Sequence, residues 1–117
     1  MATGDDPVQA TLNLFAFECK RYAAITPALL SKFWQQAESQ ARSVAKIPAL
    51  AYRGDRQAWR VLVPLNSISE AFPETWEGYE WTAELSMEAF AALVRERAAL
   101  PMAGWEIIRA AAESTNP

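Results

Sequence analysis

The chain has 117 residues, 51% of them apolar, five tryptophans and a net charge of -3. That is the size of one domain with ample material for a core. With no histidine and one cysteine, it excludes an internal disulfide, the usual zinc sites and any chemistry that needs imidazole. Catalysis would have to rest on carboxylates, Lys, Tyr, Ser, the thiol or a hard cation held by oxygen ligands.

Residues 1 to 11 are small and polar, and "GDDP" reads as a turn. Nothing in the first residues resembles a signal peptide and no apolar run is long enough to span a bilayer, so a cytoplasmic protein is expected. From Leu12 to Tyr22 the chain alternates as a strand. Phe15, Phe17 and Cys19 fall on one face, expected to be the core, and Ala16, Glu18 and Lys20 fall on the other.

The best helix begins where Thr26 caps and Pro27 suits the first position, and Pro48 limits its end. Leu30, Phe33, Trp34, Ala37, Ala41 and Val44 form its buried stripe, with Gln36 and Gln40 one turn apart on a flank expected to face inward. "PALAYR" and "QAWRVLVPL" follow as two strands joined through Gly54 and Asp55. Asn66 to Tyr79 has no period and reads as an acidic loop insertion, in which Trp76 is the tryptophan expected to be exposed as an interaction anchor. "YEWTAEL" reads as a further strand, Ser86 caps a helix with Phe90, Leu93 and Val94 as its stripe, and "GWEIIRAAAE" suggests a short last helix.

Charge is divided along the chain. Between Glu18 and Arg60 eight bases face three acids, whereas Val61 to Val94 holds six glutamates and no base. An anionic partner suits the first stretch, and the second would repel it if the two lay together.

Glu18 and Lys20, two apart on a strand, leave the same face about 6 to 7 Å apart along the chain. With an Asp delivered by the preceding turn, a hairpin-like return would bring two carboxylates and an ammonium into one site. Such a set suits a divalent cation and a water or phosphoryl oxygen beside it.

These motifs, "GDD" and "LFAFECKRY", then "FWQQAESQARSVAKIPALAYRGDRQAWRVLVPL", then "LSMEAFAALV", resemble the PD-(D/E)XK nuclease superfamily. The resemblance is to its small phage and prophage endonucleases similar to Holliday junction resolvases, in a form shortened at the N-terminus. It implies an α/β fold, a restriction-endonuclease-like mixed sheet core flanked by helices, over one domain. It implies a metal-dependent DNA endonuclease using magnesium or manganese, with Asp6 and Glu18 as metal ligands, Lys20 as the catalytic lysine and Gln36 as the polar residue beside them. Asp5 rivals Asp6. Arg21 and Arg53 match basic positions suited to a phosphate backbone, and Lys32 and Arg56 extend that set. A homodimer is expected by analogy. The alternative expectation is an inactive nuclease-like phage protein that binds DNA or, through the acidic segment, a host protein.

Overall fold

The computed structural model describes residues 6–99. The expected final helix, the tail, Trp105 and Asp5 lie outside the described residues. Helix α1 spans Pro7–Leu12, strand β1 Phe15–Tyr22, helix α2 Pro27–Ser43, strands β2 Ile47–Gly54, β3 Arg60–Pro64 and β4 Thr82–Ser86, and helix α3 Met87–Ala99. No helix among the described residues is long and apolar enough to cross a membrane.

The four strands form one sheet in the order β1-β2-β3-β4, with β1 and β2 parallel and the other pairs antiparallel. The parallel pair is joined by α2, as a parallel connection requires. Alternation along each strand then divides the core into two layers. On one face Phe15, Ala49, Ala51, Val61 and Val63 meet Phe90 and Val94 of α3, with Leu12 of α1 against them. On the other, Leu50, Tyr52 and Leu62 meet Leu30, Phe33, Trp34 and Ala37 of α2. This is the α/β mixed sheet flanked by helices that the sequence implies.

Local signals explain the helix starts. The Thr26 hydroxyl accepts from Leu29 N at 3.2 Å with Pro27 at the first position, and the Ser86 hydroxyl accepts from Ala89 N at 3.0 Å. Val44, expected in the buried stripe of α2, is 54% exposed, because the helix ends at Ser43 and Val44 stands beyond its last packed turn.

Two further expectations are corrected. Residues 7 to 12 form α1 rather than continuing the turn, so no hairpin-like return links Asp6 to Glu18. The signal was present: Asp6 is the N-cap, its carboxylate accepting from Val8 N at 2.9 Å, and Pro7 takes the first helical position. Phe17 and Cys19 do not turn into the core. Phe17 is 42% exposed and Cys19 is also exposed, because β1 is an edge strand and the α1/α3 layer covers its face only as far as the rings of Phe15 and Phe90. Phe17 still packs edge-on against Phe90, with centroids 5.6 Å apart.

The antiparallel pairing also carries a polar network. Tyr52 donates its hydroxyl hydrogen to Glu84, whose other oxygen pairs with Arg60 at 3.3 Å. This bridges β2, β3 and β4 on the α2 face. Tyr52→Phe removes a hydrogen bond to a charged acceptor and is expected to cost about 1.5–3 kcal/mol in urea unfolding.

Candidate active site

Glu18 and Lys20 occupy the α2 face of β1, both half-buried. The strand's outer edge has no partner among the described residues, so this face opens to solvent along one side. A cleft of about 420 Å³ runs between the strand and the helix, lined by Phe15, Ala16, Phe17, Glu18, Ala37, Gln40, Val44 and Lys46. Among the described residues Glu18 has no hydrogen-bond or ion-pair partner. A half-buried carboxylate without a partner is costly unless water or a cation serves it.

Lys20 is not paired with Glu18. Its ammonium lies 5.0 Å from the centroid of the Phe33 ring, so the stem is held against α2 and the charge is left free of carboxylates. Tyr22, two residues on, packs on the same ring at 5.0 Å. Phe33 therefore positions the end of β1.

Asp6 stands apart in the fold. It begins α1, which packs with α3 on the other side of the sheet from α2. Asp6→Ala is expected to lower stability by about 1 kcal/mol in thermal unfolding, as loss of an N-cap does. If the same variant loses divalent-cation binding as well, Asp6 has a second role that capping does not supply.

Gln36 is exposed on α2, not inward, because the stripe that meets the sheet is narrower than the glutamine flank. With Lys32, Gln35, Ser39, Gln40 and Ser43 it forms the exposed polar face of α2. Gln40 belongs to this face and also borders the cleft with Glu18. From the sequence Gln40 is a flank residue and Lys46 one of the eight bases between Glu18 and Arg60, and neither is expected in the site. Helical spacing could have suggested Gln40, one turn beyond Gln36, whereas Lys46 reaches the cleft only through the turn that leads into β2.

The basic residues gather by topology. The carboxyl ends of β1 and β2, the amino end of β3 and the first turns of α2 share one end of the sheet. Lys20, Arg21, Lys32, Arg53 and Arg56 all belong to that end. Arg21 and Arg53 are register partners on the parallel strands, two cations side by side on the face opposite Lys20. Arg53 lies over the Trp59 ring at 5.7 Å, and its buried Nε has no partner among the described residues. Arg56, at φ 63, sits in the turn that follows β2.

The acidic loop is at the other end. It joins the carboxyl end of β3 to the amino end of β4, and it is held there by α2: Gly78 N donates to Glu38 Oε2 at 2.9 Å and Arg42 pairs with Glu77 at 3.6 Å. Its glutamates therefore do not face the basic end.

Metal fit rests on Glu18. Among the described residues no group of three or more acidic, histidine or cysteine side chains gathers. Magnesium keeps several waters and takes one or two carboxylates together with substrate phosphates, so a single open carboxylate beside a free ammonium suits it in chemistry.

A mixed sheet with E-x-K on its open edge strand, a helix across that face and cations at the strand ends defines a restriction-endonuclease-like core. The model of one family, described as "Phage putative PDDEXK endonuclease", matches residues 4–94. The chain belongs to this family. No curated protein and no solved structure gives a match.

Proposed function

We propose that the protein is a divalent-metal-dependent DNA endonuclease whose centre is the Glu18–Lys20 face of β1. The observation that carries this reading is the partnerless, half-buried Glu18 carboxylate beside a Lys20 ammonium that no acid neutralises, on a strand edge open to a ligand.

In this reading Glu18 is the principal protein ligand for magnesium or manganese, and Asp6 joins it only if α1 approaches in the loaded state. A bound cation supplies Lewis-acid polarisation of a phosphoryl oxygen and lowers the pKa of its water. Lys20, held by Phe33, orients the attacking water and stabilises negative charge developing on the phosphate. Gln40 and Gln36 offer amides for hydrogen bonds to a substrate lying along α2. Arg21 and Arg53 contact backbone phosphates. Lys32 and Arg56 extend the contact at the same end.

The test is cleavage of linear and branched DNA with magnesium, manganese or chelator present. Metal-dependent scission that chelator stops is expected; wild-type protein inert on every substrate would remove the proposal. For the DNA contacts, Arg53→Ala is expected to weaken binding evenly across sequences. It should also reduce the slope of log affinity against log salt by about one. Fluorescence anisotropy at several salt concentrations measures both.

A further inference from the structure

The loop between β3 and β4 carries an aromatic surface that the nuclease reading does not use. Trp76 and Trp81 lie with ring centroids 4.4 Å apart, and Phe72 adds a third ring 6.0 Å from Trp76. Trp76 is 39% and Trp81 37% exposed. Large aromatic rings left in water as a contiguous group mark a binding surface more often than a stray residue does.

The loop that presents them is built, not slack. Trp76 N donates to Pro73 O at 3.2 Å and Trp81 N to Gly78 O at 3.1 Å. Gly78, at φ 113, adopts a backbone conformation in which a side chain is strained, and this lets its N–H reach Glu38. The rings are thus held in place before any partner arrives.

Two kinds of ligand use exposed stacked rings. Single-stranded nucleic acid stacks bases on them, but such platforms lie in cationic grooves that follow the phosphates. Here the same segment carries Glu70, Glu74, Glu77 and Glu80 with no base between Val61 and Val94, and the cation that reaches it from α2, Arg42, pairs with Glu77, so the carboxylates remain in excess. Phosphates would be repelled, whereas an ammonium or guanidinium gains both from the ring faces and from the carboxylates. We infer that the Phe72–Trp76–Trp81 surface docks a segment of a partner protein bearing Lys or Arg side chains, with the cations over the tryptophans and the glutamates around them. Because the loop lies at the end of the sheet away from Arg21 and Arg53, this docking is independent of the nuclease reading.

The experiment titrates full-length protein with a fluorescein-labelled decapeptide rich in Lys and Arg, with a ten-nucleotide oligothymidine as counter-probe. Binding of the peptide and not of the oligonucleotide to this surface is expected, weakening as salt rises. Trp76→Ala and Trp81→Ala, which leave the charge unchanged, should each weaken the peptide about five- to thirty-fold while circular dichroism stays that of wild type. Non-specific attraction to an acidic protein would not respond to either variant, and that result overturns the proposal. So does oligonucleotide binding lost in Trp76→Ala, or self-association lost in Trp76→Ala without peptide binding, which would assign the surface to a second copy of the chain.

Discussion

Glu18→Gln is expected to abolish metal-dependent DNA cleavage while leaving the fold intact. The substitution keeps the shape of the side chain and removes its charge, and Glu18 has no partner among the described residues whose loss would destabilise the strand. If the carboxylate holds the cation, losing it forfeits several kcal/mol of transition-state stabilisation, roughly a hundred- to thousand-fold in rate. Calorimetric titration with magnesium or manganese should show binding lost with the charge. Lys20→Met is the companion variant: its apolar stem still covers Phe33, so the strand end keeps its packing and the ammonium alone is removed. Its expected signature is retained cation binding with a rate about a hundred- to thousand-fold lower. Unchanged cation binding in Glu18→Gln would take the metal role away from this residue.

The largest stability effect is expected at Trp34. It is fully buried and packs among Leu30, Phe33, Ala37, Leu50, Tyr52 and Leu62, at the centre of the layer between α2 and the sheet. Trp34→Ala removes the largest side chain of that layer and leaves a cavity, costing about 3–5 kcal/mol. Set against the roughly 5–15 kcal/mol by which domains are stable, that loss is enough to populate unfolded protein at modest urea concentration. Trp34→Phe should cost distinctly less than its lost volume implies. The indole Nε1 is buried without a hydrogen-bond partner, and replacing it removes an unpaired donor that itself costs about 1–3 kcal/mol. Equilibrium unfolding of the two variants measures the difference. Since Phe33, next to Trp34, positions Lys20, the alanine variant should also reduce activity below its midpoint of unfolding.

The sequence by itself determined the elements whose signals are local. Alternation over Phe15 to Tyr22 put Glu18 and Lys20 on one face of a strand, Thr26 with Pro27 set the start of α2, Ser86 set the start of α3, and the apolar runs around Gly54 made two strands. Such signals are readable because periodicity and caps involve residues within a few positions of one another. The Asp6–Pro7 cap was equally local, but the six-residue helix it opens is too short to show a period.

What the tertiary structure decided concerns residues far apart in the chain. Cys19 and Phe17 alternate with the charged residues just as Phe15 does, yet only Phe15 is buried, because coverage of an edge strand depends on where α3 lies. Likewise, Gln40 rather than Gln36 borders the cleft with Glu18, which follows from how α2 sits over β1. The acidic stretch and the basic stretch follow one another in sequence and could have been neighbours in space. Strand direction sends the loop glutamates Glu70, Glu74, Glu77 and Glu80 to the end opposite Arg21, Arg53 and Arg56, because β3 runs back from the carboxyl end of β2 before the loop begins, while Glu84, returning on β4, meets Arg60 in an ion pair. That separation comes from pairings between residues tens of positions apart, and no local pattern encodes it.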